Sequence, residues 1–418
     1  MTQVIVLNPV QEKRLLRSLS GIQFSNILDV MIVMPLAPML MRTFHLTAVQ
    51  FGLLVSAYTF MAAVTSIVAA MVIDRFDRRR VMLSFFAAFI VATALCAAAP
   101  SYHLLLLARG LAGMFGGVLG SLVHVYIADC IPYERRGEAT GKVTAAFSVA
   151  VVLGVPVSLL LVNNTELGWR APFILVALVG LVFWWMAHKA IPSIPTRITD
   201  QRLSQTLVPI KRVLAQHNHW RAFAFMFLLM LGGFTVIPYI TLYSTLNLHF
   251  PETLLPLLYL SGGLFTFFTS PWFGRLADLH GKARVFRVIA VIAMLPILAI
   301  TNVTNIPWWG VLCITTPFFV FVSGRFVPGM AIISSAGVPH LRGTFMSVNS
   351  AVQSIGSSIA TLIAGFIITI NPQGLLEHYN VVGFVACSSI LVTLWLVGYV
   401  KVASSDSAVG GSTVPVRP

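Results

Sequence analysis

Apolar residues in this chain come in long blocks, not at the 3.6 or 2.0 spacing of a half-buried helix or strand. Residues 81–99 and 381–400 are almost unbroken runs of this kind. A membrane-crossing helix needs about 20 predominantly apolar residues. Inside lipid, only helices and closed barrels satisfy their own backbone groups. Barrel strands would read as alternating segments of about ten residues. The pattern therefore predicts an all-α membrane protein of twelve transmembrane helices, at 19–41, 50–72, 81–99, 104–127, 141–162, 171–190, 221–246, 254–276, 286–303, 308–334, 344–369 and 381–401.

Between the blocks, charge alternates. Of the 27 Lys and Arg, all but Arg42, Arg170, Arg109 and Arg325 fall on the side that holds the N-terminus, or at its border. This Lys/Arg bias places both termini in the cytoplasm. The longest connection divides six spans from six. The expected organisation is a six-helix bundle over 1–190, a cytoplasmic linker over 191–220, a second bundle over 221–402 and a disordered tail over 403–418. Within the linker, Leu203, Leu207, Ile210, Val213 and Leu214 predict a short amphipathic segment on the membrane surface. Lys13, Arg14 and Arg17 precede the first block without a cleavage site, so the first span is expected to remain as an anchor.

Composition closes off other classes. The chain is 57% hydrophobic and only 10% charged, whereas a soluble protein carries about 25% charged residues. The net charge of +14 raises the prospect of nucleic-acid binding, but the basic residues follow membrane topology, and no nucleic-acid partner is expected. Cys96, Cys130, Cys313 and Cys387 lack metal or redox spacing and read as packing residues. No P-loop, GxSxG, HExxH or dinucleotide fingerprint is present. The expectation is a non-enzyme without cofactor or metal.

A few polar residues stand inside the spans. Asp29 lies about ten residues into the first, near the middle of the bilayer at 1.5 Å per residue, with Asn26 one turn below on the same face. Such a carboxylate suits reversible protonation; a static helix contact is the plainer alternative. Arg109 in the fourth span shares a face with Gly113, Gly116, Gly117 and Gly120, spaced for close helix approach. The eleventh span is unusually polar, and its Asn349 and Gln353 share a face. With Arg325, Tyr239, Tyr243 and Tyr259 they are candidates to line a cavity, against ordinary packing. His124 reads as a packing residue.

The two halves repeat. Asp74 and Asp278 are 204 residues apart, Arg136 and Arg342 are 206 apart, and Pro35 and Pro238 are 203 apart. Parallel halves of six helices resemble the major facilitator architecture. Gly274, Arg275 and Asp278, followed by Gly281 and Lys282, resemble that superfamily's motif A. The first copy keeps Asp74, Arg75, Arg78 and Arg79, but has Ala70 and Asp77 where the family has glycine. Asp129, Glu134, Arg135 and Arg136 look like the family's second charge cluster. Arg109 and Gly113 resemble motif B of the proton-coupled members. Gly154 and Pro156 resemble the core of the antiporter motif, without its flanking glycines.

The chain is therefore identified as a member of the major facilitator superfamily, similar to its drug:proton antiporter and arabinose-efflux-permease-like branch. The resemblance implies alternating access and a cytoplasmic gate formed by Asp74, Arg75, Arg78, Arg79, Asp129, Arg136, Gly274, Arg275, Asp278 and Arg342. It implies a multi-pass carrier in the bacterial inner membrane, monomeric in the lipid bilayer, with a small-molecule substrate and protons as partners. Proton-coupled efflux of a small organic solute is the first expectation. A proton-coupled or facilitative importer, and a non-transporting receptor or scaffold on the same fold, stay open.

Overall fold

A computed structural model describes residues 8–72, 76–132, 135–193, 210–338 and 341–401. Eleven of its helices are long and apolar enough to cross a membrane, or twelve counting one bent pair as a span. The protein is thus a multi-pass membrane protein. That pair is the first span: Pro9–Ile32 and Ala37–Phe44 meet at 58°. Asn8 opens it with a capping box to Gln11, and Pro9 occupies the first turn, where its missing N–H costs nothing. Pro35 and Pro38 then interrupt the helix, since proline cannot donate to the i−4 carbonyl. The seventh span breaks at the repeat-related place: His217–Phe234 gives way to a 3-10 turn over Ile237–Tyr239, holding Pro238, before Ile240–Leu246 resumes.

The remaining spans lie within a few residues of their expected positions. The second is Ala48–Val72, the third Arg78–Ala98 and the fourth Tyr102–Cys130. The fifth consists of Arg136–Val149, a π-helical turn over Ala150–Gly154, and Val155–Asn164; the sixth is Ala171–Ala190. The eighth is Leu255–His280, the ninth Lys282–Asn302, the eleventh Arg342–Ile367 and the twelfth Tyr379–Leu396. The tenth, expected as one helix, is broken at Arg325 into Trp308–Gly324 and Phe326–Ala336. A two-residue hairpin, Thr369–Ile370 with Leu376–Glu377, joins the last two spans. In the linker, Val213 is buried, Ile210 half-buried and Leu214 exposed; Leu203 and Leu207 lie outside the described residues.

One buried apolar cluster draws only on residues between Leu15 and Ile191, whereas a larger one draws on both halves. The halves meet through the second span against the eleventh and the fifth against the eighth, two contacts exchanged by the repeat. At the latter, Gly263 faces the backbone of Val152 in the π-turn, where a Cβ would fall 3.2 Å from Cα. Large apolar residues such as Phe268, Leu295 and Phe366 point outward at about 70% exposure. In water such a surface would aggregate; against lipid tails it is the solvated face.

Candidate functional site

Asp29 and Arg109 form an ion pair at the centre of the first six-helix group. Arg109 Nη1 donates to Asp29 Oδ2 at 2.6 Å and to the Asp29 carbonyl at 3.2 Å, and both side chains are sealed from solvent. From the third span, the Thr93 hydroxyl donates to Asp29 Oδ1 at 3.2 Å. From the second, the Tyr58 ring lies under the guanidinium, 4.7 Å from its centre. Tyr58 also donates to Asn26, whose amide nitrogen donates to the Gly116 carbonyl at 2.8 Å. The sequence singled out Asp29, Arg109 and Asn26. It missed Thr93 and Tyr58, which are ordinary residues of apolar helices and meet the pair only through packing.

Glycines in the fourth span create the room. A side chain at Gly113 would overlap the Tyr58 backbone, one at Gly116 the Tyr58 hydroxyl, and one at Gly117 the Ala62 backbone. The second and fourth spans therefore touch backbone to backbone, which sets Tyr58 beside Arg109. Ser66 adds a bond to the Gly117 carbonyl at 3.1 Å. Arg109 Nε and Gln23 Oε1 are buried without a hydrogen-bond partner among the described residues.

In the fifth span, Gly154 closes the π-turn and Pro156 follows it. Proline has no N–H for the helical ladder, and the ladder is irregular over the turn before it. A Cβ at Gly154 would fall 2.8 Å from the Leu28 side chain, so this glycine lets the fifth span approach the first next to Asp29.

The second half has no matching ion pair among the described residues. Arg325 is buried, reaches the Leu229 carbonyl at 3.5 Å and leaves its Nε unpartnered. It lies over Gly232 and Gly233, where a Cβ would come within 3.0 and 3.3 Å of its guanidinium nitrogens. The tyrosines are buried with their hydroxyls satisfied. Tyr239 donates to the Ala48 carbonyl at 3.0 Å, Tyr243 to the Val303 carbonyl at 2.8 Å, and Tyr259 shares a 2.7 Å bond with Thr241. Asn349 is buried with Oδ1 unpartnered, and Gln353 is half-buried. His124 is exposed on the bundle surface.

Of the gate residues, Asp74 and Arg75 lie outside the described residues, as do the side chains of Arg136 and Arg342. Arg78 pairs with Asp129, and Arg79 donates to the His188 carbonyl at 2.7 Å, both within the first half. Asp77 caps the third span by accepting from the Arg79 N–H at 3.0 Å. Arg135 is held by Glu12 at 2.7 Å, and that carboxylate raises the arginine's pKa. Gly274 is half-buried, and Arg275 and Asp278 are exposed.

At the opposite end the halves are fastened together. Arg42 Nη2 lies 2.7 Å from each carboxylate oxygen of Glu252, and Asn163 reaches the Thr253 carbonyl at 3.4 Å. Tyr239 bridges Ala48 of the second span and Thr361 of the eleventh, and Ser358 donates to the Ser56 carbonyl at 3.2 Å deeper in. The sequence read Arg42 only as one of the few basic residues on this side.

Broken first and seventh spans, paired contacts between two sets of six helices and an ion pair sealed inside one set define a polytopic membrane carrier. The chain belongs to the Major Facilitator Superfamily, whose model matches residues 19–411. It is 25% identical over 367 residues to "Uncharacterized MFS-type transporter YceJ" of Bacillus subtilis (strain 168), covering 87% of this chain and 90% of that one. Over 241 residues it is 24% identical to the "Probable sugar efflux transporter" of Helicobacter acinonychis (strain Sheeba), 58% of this chain and 60% of the relative. Its fold is similar to a D-xylose-proton symporter, with TM-score 0.75 at 16% identity over 92% of this chain and 97% of that one. It is likewise similar to a bacterial homolog of the human lysosomal transporter Spinster in an inward-facing, occupied conformation, with TM-score 0.69 at 16% identity over 94% and 96%. The family is one of transporters, not enzymes.

Proposed function

We propose that this transporter exports a small organic solute in exchange for protons, with both termini in the cytoplasm of a bacterial inner membrane. The observation that carries the coupling is the sealed Asp29–Arg109 pair. A carboxylate in the bilayer interior changes charge only by taking or releasing a proton, and either event changes what Arg109 faces. Protonation of Asp29 removes the charge that holds the guanidinium. Arg109 then has Tyr58 and the Asp29 carbonyl left as neighbours, and the first four spans are free to repack. A proton thereby acts as a ligand with different affinities for the two arrangements.

Export is supported by the partial antiporter motif at Gly154 and Pro156 and by the names of the sugar-efflux relatives. A sugar or similar hydroxylated solute is the substrate class we favour. With the termini in the cytoplasm, the Arg42–Glu252 end is the outer one, and the arrangement described is closed outward. The gate role of Asp74, Asp129 and their arginines then belongs to the opposite, outward-open arrangement. The organisation into two bundles with a linker over 191–220 is part of the same proposal.

The test uses inverted membrane vesicles with an imposed inward-acid gradient and a panel of mono- and disaccharides. Antiport predicts that a transported sugar dissipates the gradient in these vesicles and accumulates inside them. Solute leaving the vesicles together with protons would establish import instead.

A further inference from the structure

The halves of the fifth span part company at the π-turn. Val155–Asn164 packs on the sixth span, whereas Arg136–Val149 packs mainly on the first. Towards the termini, the fifth and sixth spans are therefore separated, with the first span as the floor between them. The resulting groove has a volume of about 1140 Å³, at or beyond the upper end for small-molecule pockets. Its floor runs from Pro9 to Phe24, about 22 Å at 1.5 Å per residue. That is the thickness of one bilayer leaflet with its headgroups, at about 20–22 Å.

Chemistry divides the groove along its length. The deep part is apolar, built from Leu16, Phe24, Val149 and Phe183. Leu153 of the fifth span and Val182 and Trp185 of the sixth are large exposed apolar residues on the two spans that wall it, as on a face turned to lipid tails. Lys13, Arg17, Arg135 and Lys142 surround the mouth, together with Glu12. Arg135 is neutralised by Glu12 and Lys142 by Glu138. Lys13 and Arg17 are exposed and have no ion-pair partner among the described residues. Two cations without an ion-pair partner among the described residues therefore stand at headgroup depth above an acyl-sized slot.

We propose that this groove is a binding site for an anionic phospholipid, its phosphate held by Lys13 and Arg17 and one acyl chain laid along the first span towards Phe24. Charge selects the lipid and the slot fixes its position. A zwitterionic lipid offers the same chain but carries a choline or ethanolamine cation next to the phosphate, which Lys13 and Arg17 repel.

Native mass spectrometry of the purified full-length protein, with dioleoyl-phosphatidylglycerol and dioleoyl-phosphatidylcholine supplied in equal amounts, tests the proposal. Each cation near the headgroups contributes about fivefold, so Lys13→Gln with Arg17→Gln should lower phosphatidylglycerol retention about 25- to 30-fold. Lys282→Gln with Arg284→Gln removes the same charge elsewhere and should leave retention unchanged. Val149→Trp fills the slot and should reduce retention of phosphatidylglycerol with the cations intact. Equal retention of the two lipids by the unaltered protein overturns the proposal. So does equal loss in both double variants, which would mark a diffuse charge effect. Inorganic phosphate binding that depends on Lys13 and Arg17, without any preference for phosphatidylglycerol, would assign the cations to a free anion and also overturn it.

Discussion

Arg42, at the end of the first span, and Glu252, ahead of the eighth, close a two-pronged ion pair across the halves, with 2.7 Å to each carboxylate oxygen. Both side chains are partly exposed, so the pair contributes no more than about 1 kcal/mol. That is enough to shift a two-state equilibrium about fivefold without affecting the fold. Arg42→Gln and Glu252→Gln should each shift the carrier about fivefold or less towards opening at this end, and the exchange Arg42→Glu with Glu252→Arg should restore the distribution. Distances between spin labels on Asn163 and Thr253 would report it. No change in either variant would show that Tyr239 and the packing of the second on the eleventh span hold this end alone.

Backbone contact between the second and fourth spans predicts a graded glycine series. Gly113→Ala and Gly117→Ala place a methyl group into backbone atoms of Tyr58 and Ala62 that cannot move aside. Overpacking of this kind costs about 1–3 kcal/mol. Gly120→Ala should be nearly neutral, because its nearest neighbour is the Asn26 amide at 3.9 Å. Thermal unfolding in detergent should rank the three in that order. Equal effects would mean that the spans separate readily.

Arg325 is a buried cation without an acidic neighbour among the described residues. Replacing it by methionine keeps much of its length and removes a desolvation penalty of several kcal/mol. We expect Arg325→Met to be at least as stable as the unaltered protein, by up to about 3 kcal/mol, in thermal unfolding. A less stable variant would identify the Leu229 contact as structural.

Much of the fold was legible because lipid forces it to be. Each span must be long, apolar and free of unpaired backbone groups, so the blocks alone located the spans to within a few residues. Pro35 and Pro238 were read as repeat landmarks, and the breaks beside them in the first and seventh spans came only with the structure. The π-turn before Pro156 and the break at Arg325 were not located, because Gly154 and Pro156 were read as a motif and the tenth block as one helix. Asp29 and Arg109 stood out because charge is rare in a span. Thr93 and Tyr58 did not, because their contacts with the pair depend on packing across 64 and 51 positions. Tyr239 and Tyr243 were expected at a cavity. Both are buried and donate to backbone carbonyls distant in sequence, contacts that the sequence does not reveal.

The Asp29–Arg109 pair also predicts a coupled pattern of stability. Removing one partner leaves a buried charge uncompensated and costs about 3–5 kcal/mol. Arg109→Gln should therefore be strongly destabilising, and Asp29→Asn with Arg109→Gln markedly less so than the sum of the two. A double-mutant cycle by thermal unfolding checks this; additive losses would mean that the two side chains do not interact.

Proton exchange at Asp29 is the central claim, and proton release on substrate addition measures it most directly. Purified protein in weakly buffered detergent solution, with a pH-sensitive dye, should release protons when a transported sugar is added, and Asp29→Asn should release none. Normal release from the Asp29→Asn variant would contradict the account, leave the ion pair a static contact and move the coupling elsewhere in the chain.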